Sequence, residues 1–325
     1  MRLRRLLSFL NLLSRCIRMV VRMKIYQCGL AWLVLVLLLG AAPALAQTLV
    51  DSDGRVLVFD HPFQRIISLY PAHTRNLMDM GAAGQIVAVG RSDHQLQGLP
   101  RVGFRDDPER LLALAPDLVL IRPMISRACP QLVSRLEASG VRVVSLQPAS
   151  MDRLFGYWQD LGRLSGHEQG AREMTARFGA GLARMQQQVE GIAREKRPKV
   201  YFESIHKRMK TFAPGSMAIF VLESAGGINV AADARQVRRT NIAAYGKERI
   251  LARANQIDVF LAQKGRMNPV TVEMIKNEPG FGVIKAVREG RIYLVDEKLV
   301  SRPTLGLLEG IARVHELLYS MNNEQ

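Results

Sequence analysis

Cysteine, aromatic side chains and long apolar runs are all scarce in this chain of 325 residues. Three cysteines occur, and Cys16 and Cys28 fall within the first 46 residues, leaving Cys129 alone in the remainder. One thiol closes no internal disulfide, so the fold must be held by its core, for which the remaining length suffices. The longest apolar run, GLAWLVLVLLLG at 29–40, is shorter than the roughly 20 residues a helix needs to span a bilayer. Signatures of catalysis are missing as well. No G-x-S-x-G elbow, H-E-x-x-H pair, P-loop or G-x-G-x-x-G fingerprint is present. His167-Glu168 and His315-Glu316 lack the second histidine of a zinc-protease helix. An exported α/β hydrolase is therefore a weak alternative.

The short apolar run has another meaning. Basic residues precede it and Ala44-Leu45-Ala46 follows, the small-x-small pattern of a secretory cleavage site. The sequence therefore predicts a signal region over 1–46, cleavage after Ala46 and export to the periplasm, with Met1 and Met23 as alternative starts. That leader carries seven of the 45 basic residues and none of the 29 acidic ones, so the net charge of +16 falls to near +9 without it. The excess is dispersed, with no basic tail, clustered patch or nucleic-acid motif. An anionic small ligand accounts for it better than nucleic acid.

Beyond Gln47, residues 48–60 alternate around Asp53-Gly54, a hairpin signal. Arg65–Leu69, Ile86–Val89, Leu118–Ile121 and Val141–Leu146 read as strands. Helices are expected from Pro108, with Asp106 or Asp107 as N-cap, to about Ala115, and over 129–138. Residues 166–197 interrupt this rhythm. Ala176, Phe178, Leu182, Met185, Val189 and Ile192 make the stripe of one long amphipathic helix, weakened by glycines at 170, 179, 181 and 191. The alternation then resumes with strands at Lys199–Phe202, Val259–Ala262 and Arg291–Val295. Helices are expected at Ser216–Ala225, Pro269–Asn277 and Pro303–Ser320. The pattern predicts an α/β protein of two Rossmann-like lobes, each a mainly parallel sheet flanked by helices, joined by a connector helix. The boundaries are 47–164 for the N-terminal lobe, 165–197 for the connector and 198–325 for the C-terminal lobe.

One sentence is written twice. ERLLALAPDLVL at 109–120 returns as ERILARANQIDVFLA at 248–262, as a helix feeding a buried strand would in each of two similar lobes. With GRVLVFDHPFQRIISLYP, AGQIVAVGRSD, PKVYFES, AGGINV, PGFGVIKAVREGRIYLVD and SRPTLGLLEGI, these stretches cover almost all of 54–312 in order. Together they make the chain resemble the periplasmic substrate-binding proteins of ABC importers for iron–siderophores, haem and vitamin B12. The resemblance implies a shallow cleft between lobes, little hinge closure, and cargo containing Fe or Co without an intrinsic cofactor. It also implies an ABC permease, with its ATPase, as partner. Glu109 and Glu248 match the exposed glutamates with which the family docks on permease arginines, and two like charges on pseudo-symmetric lobes suit a two-fold permease. Both also sit where a helix macrodipole favours an acid. Nothing calls for more than a monomer.

Ligands of open α/β sheets bind outside the carboxyl ends of strands. That rule selects Tyr70, His73, Arg91, His94, Arg122 and Met124 in the first lobe. In the second it selects Glu203, His206, Lys264, Arg266 and Arg302. Under one reading the cations grip carboxylates or phosphates of a chelate. Under the other, His73, Glu203 and His206, with His94 nearby, hold a transition-metal ion directly. Glu203 and His206 are three apart, so a helical turn would align them and an extended strand end would not.

Overall fold

Apolar runs bounded by turn residues become the strands of two sheets. The computed structural model describes residues 46–237 and 240–319, so the expected signal region, through Leu45, lies outside the described residues. A hairpin of β1 (Gln47–Val50) and β2 (Val56–Phe59) turns at Asp53-Gly54. The first sheet follows, built from β3 (Ile66–Ser68), β4 (Ile86–Gly90), β5 (Arg101–Val102), β6 (Leu118–Ile121) and β7 (Arg142–Ser145). Its order is β5-β4-β3-β6-β7, parallel throughout. Helices α1 (Pro71–Asp79), α2 (Pro108–Leu112), α3 (Pro123–Ala128), α4 (Pro130–Ala138) and α5 (Leu154–Ser165) belong to this half. Pro108 occupies the first turn of α2 as expected, but Asp107 makes no side-chain cap. The helix also stops short of Ala115, whose φ of 47° turns the chain into β6.

Helix α6 (Glu168–Glu190) joins the halves. It is shorter than the 165–197 expected, because the chain leaves the α-helix at Gly191 and makes a separate 3-10 turn at Arg194–Lys196. Its buried face starts at Ala171 and Met174 and continues through Phe178 to Val189, while Ala176 points to solvent. Ala176 sits two residues before Phe178, off the three-or-four spacing that the true stripe keeps. Two glycines that weakened the helix on propensity grounds are sites of close approach. A Cβ on Gly170 would lie 2.2 Å from the Met80 carbonyl oxygen, and one on Gly181 would lie 2.7 Å from Leu308.

The second sheet combines β8 (Lys199–Ile205), β9 (Lys210–Phe212), β10 (Ile228–Asn229), β11 (Arg235–Gln236), β12 (Ile242–Ala244), β13 (Val259–Lys264) and β14 (Ile292–Asp296). Its path is β11-β12-β9-β8-β13-β14, with β10 also pairing with β8. Strands β8, β10, β13 and β14 are parallel, whereas β8-β9-β12-β11 run antiparallel. This antiparallel extension escaped the sequence reading because its strands are two or three residues long and carry no legible period. The helices here are α7 (Met217–Ser224), α8 (Lys247–Ala252), α9 (Val272–Lys276), α10 (Lys285–Arg288), α11 (Glu297–Val300) and α12 (Gly306–Tyr319).

The repeated sentence is a repeated structure. Strand β6 lies between β3 and β7, and β13 lies between β8 and β14. The aspartate ahead of each strand does the same work. Asp117 accepts the backbone N–H groups of Gln64 and Arg65 at 2.7 and 2.9 Å, and Asp258 accepts that of Lys199 at 2.9 Å. Each carboxylate thereby satisfies donors at the entry of the neighbouring strand.

The two sheets share one apolar core. Ile66, Leu118 and Val144 of the first and Val200, Phe202 and Leu261 of the second belong to a single cluster that runs through Trp158, Phe178, Leu222 and Ile311. Phe178 is fully buried at its centre, 5.7 Å from Trp158, 5.9 Å from Phe155 and stacked at 6.3 Å on Phe220. The connector is therefore a shared wall of both halves, and packing of this kind resists hinge opening.

Candidate functional site

The carboxyl ends of β3, β6 and β14 meet at Tyr70. This residue leaves β3 in extended conformation and precedes the proline that opens α1. The Arg122 guanidinium, at the end of β6, lies over its ring at 4.8 Å, within the usual range for a cation–π contact. Burial pushes the Tyr70 hydroxyl above its ordinary pKa; Arg122 and Arg302 pull it back, and Glu297 pushes it up again. Groups after β6 and after β14, one from each half, thus act on the same phenol. Arg302 and Glu297 are 3.7 Å apart. Glu297 lies against the backbone at Gly265, since a Cβ there would overlap its carboxylate.

A strap, Ser301–Thr304, holds this junction together. Ser301 donates to Gln263 at 2.7 Å at the end of β13. Asn76 on α1 and the Trp158 indole on α5 both donate to the Pro303 carbonyl, at 2.9 and 3.1 Å. Two buried donors from the first half therefore fix the strap of the second, and with it Arg302. Sequence reasoning missed Asn76, Trp158, Glu297 and the Pro303 carbonyl, because a backbone acceptor leaves no mark in the residue pattern.

The direct-metal reading is corrected by the geometry. Among the described residues, no three His, Cys, Asp or Glu side chains are grouped so as to hold a metal ion. His73 lies on α1, fully buried, edge-on to Tyr70 at 5.1 Å, with Nε2 2.8 Å from the Leu146 carbonyl. Burial pushes its pKa down to about 4, so the ring is neutral and supports Tyr70 from behind. Glu203 and His206 do meet, His206 Nδ1 donating to both carboxylate oxygens at 3.0 and 3.1 Å. The expectation that a strand end would keep them apart fails because β8 ends at Ile205 in a 3-10 turn. They form a buried structural pair. Asn268 accepts the His206 backbone N–H at 2.9 Å, and Glu278 lies 3.6 Å from Nε2 and bonds Lys247 on α8.

That pair predicts a pH profile. The hydrogen bond that His206 donates to Glu203 raises its pKa above the usual imidazole range, and burial raises Glu203. A raised histidine stabilises fully below its unfolded value near 6.5, and the contribution fades as pH rises through the folded value. A raised carboxyl also makes stability fall as pH rises. His73 acts oppositely: lowered to about 4, it weakens the fold as pH drops from 6.5. Thermal unfolding midpoints should therefore decline as pH rises above 6.5. His206→Gln should lower stability and flatten the alkaline arm; an unchanged alkaline arm would contradict this account.

Other candidates are placed differently. Arg91 is held by Asp106, just ahead of α2, through Nε at 3.2 Å and Nη2 at 2.6 Å. His94, Lys264 and Arg266 are exposed, and Met124 is 37% exposed on the first turn of α3. Glu109 and Glu248 occupy the second position of α2 and of α8 respectively, and both are exposed. Glu109 is 3.2 Å from Arg135. A self-hydrogen bond to its own backbone and this arginine hold its carboxyl below the usual range.

The fold, two α/β halves joined by one helix, is that of a two-lobed binding protein. The chain belongs to the periplasmic binding protein family, whose sequence model matches residues 66–299. It is similar to the uncharacterised ABC transporter substrate-binding lipoprotein YvrC of Bacillus subtilis, 23% identical over 278 residues, covering 84% of this chain and 85% of that protein. It is also similar to the vitamin B12-binding protein of Vibrio cholerae, 23% identical over 258 residues, covering 78% and 88%. A solved structure of a possible iron-binding periplasmic solute-binding protein from Staphylococcus epidermidis superposes with a TM-score of 0.69 at 26% identity, covering 80% of this chain and 100% of that one. The family is a substrate-binding component of ABC transport, so the chain is a binding protein and not an enzyme. Membership implies a permease and ATPase as partners and a small-molecule ligand. No helix among the described residues is long and apolar enough to cross a membrane.

Proposed function

We propose that the chain is an exported periplasmic receptor, cleaved after Ala46, that carries an anionic metal chelate to its permease. The cargo class is an iron–siderophore, haem or corrinoid, bringing Fe or Co with it, and the receptor acts as a monomer. The observation that carries this reading is that Arg122 of the first half lies over Tyr70 while two donors of the same half, Asn76 and Trp158, anchor the strap that carries Arg302 of the second. One guanidinium over an aromatic ring, with a second from the other half nearby, suits a flat or bulky chelate with peripheral carboxylates or phosphates. Lys264, Arg266 and Met124 stand exposed at the ends of β13 and β6 and add contacts at the rim. Relatives named as cobalamin-binding and structures named as haem-binding support the cargo class.

Titration of the purified protein with haemin, cyanocobalamin and a ferric hydroxamate tests it. Trp158 is fully buried, so its emission should be quenched by energy transfer to a coloured chelate, saturably, for one of the three. Arg122→Ala combined with Arg302→Ala should weaken that complex at least tenfold, about 1.4 kcal/mol. Silence towards all three probes, or full affinity in the double variant, would remove the cleft assignment. For delivery, we assign Glu109 and Glu248 to docking on cations of the permease.

A further inference from the structure

A second concave site lies away from the cleft, on the antiparallel extension of the second sheet. A pocket of about 430 Å³ is lined by Arg208, Lys210, Arg235, Ala244, Tyr245, Gly246 and Arg249. Arg208 lies in the turn after β8, Lys210 begins β9 and Arg235 begins β11. Two backbone segments far apart in sequence thus bring cations to one opening. Arg249 stacks on the Tyr245 ring at 4.3 Å and, with Arg253, is matched by Asp233. Among the described residues no carboxylate pairs with Arg208, Lys210 or Arg235. The pocket wall carries unmet polarity too. Tyr245 is 6% exposed, and its hydroxyl has no hydrogen-bond partner, nor has that of Tyr201 behind it at a ring distance of 5.8 Å. Burial pushes the Tyr245 hydroxyl up, Arg253 pulls it back and Asp233 pushes it up again.

We propose that this pocket binds a phosphate group. Unmatched like charges gathered in a concavity repel one another and are relieved by a counter-anion. Two guanidiniums and an ammonium offer more donors than one carboxylate can accept, and a tetrahedral oxyanion satisfies them together. The volume leaves room for the substituent of a phosphate ester. Glu248 marks the rim, since a Cβ on Gly246 would lie 3.3 Å from its Oε2. If Glu248 docks as proposed, the pocket faces the membrane and lipid headgroups become one source. That source rests on the docking reading, whereas phosphate binding itself does not.

Calorimetry with inorganic phosphate and sedimentation with phosphatidylglycerol or phosphatidylcholine vesicles test the pocket. Arg208→Gln with Arg235→Gln should weaken phosphate binding about tenfold or more, and a control of equal charge loss, Arg177→Gln with Arg184→Gln on α6, less than about twofold. Vesicle binding that is selective for phosphatidylglycerol and lost in the pocket variant identifies a lipid headgroup. Phosphate binding without vesicle selectivity identifies a free phosphate. No binding in either assay, or equal loss in both variants, overturns the proposal. Neither assay contains a permease, so a failure here leaves the docking of Glu248 to be judged separately by uptake.

Discussion

Reversing Glu109 and Glu248 together to lysine should abolish transport in cells while the purified protein keeps its ligand affinity within about twofold. The two carboxylates occupy the same helical position ahead of equivalent central strands, so they form a matched pair on the two halves. Both are exposed, and the ion pair of Glu109 with Arg135 joins side chains 59% and 63% exposed. Pairs of that kind contribute about 0–1 kcal/mol to the fold. A lysine in a first helical turn costs a further 0.3–1 kcal/mol or so, which leaves the protein folded. Against permease cations, however, each reversal turns attraction into like-charge repulsion costing several kcal/mol. Uptake counts of radiolabelled chelate, set beside fluorescence titration of the same variant, separate the two effects. Intact uptake, or affinity lost together with uptake, would remove the docking role.

Phe178→Ala should lower unfolding free energy by about 3–5 kcal/mol, the usual cost of deleting a buried aromatic side chain. Its ring contacts Phe155 and Trp158 of the first half and Phe220 of the second. The cavity therefore opens where the halves join and cannot be closed by movement within one of them. Looser alignment should also weaken cargo binding, because Arg122 and Arg302 reach the site from different sides of that seam. Urea unfolding measures the first effect and titration the second. A loss below about 1 kcal/mol would mean the halves do not depend on this contact.

How much of this was legible in the sequence follows from the kind of signal each feature leaves. The strands at Ile66, Leu118, Val200 and Val259 show as apolar runs because both faces are covered. The doubled Glu-Arg and Asp signals survive because each answers a local need, an exposed helix start and a strand entry. The antiparallel extension from Lys210 to Ala244 was illegible, and the phosphate pocket with it, since its strands are too short to show a period. The Tyr70 site was half legible. The rule of strand ends selected Tyr70 and Arg122, which meet, and also His73, which packs edge-on to Tyr70, and Arg91, which is held by Asp106. His73 bonds the Leu146 carbonyl and Arg91 bonds Asp106, and neither partner is close in sequence. Glu203 and His206 meet through a 3-10 turn after β8 that the strand reading did not anticipate.

Anomalous scattering at the iron or cobalt edge, from crystals grown with whichever chelate saturates the protein, locates the cargo without assumptions about its ligands. The account predicts a single metal peak beside the Tyr70 ring, with the Arg122 and Arg302 guanidiniums turned towards the chelate. A peak in the pocket beside Tyr245, or in the groove between Arg75 and Arg184, would contradict it.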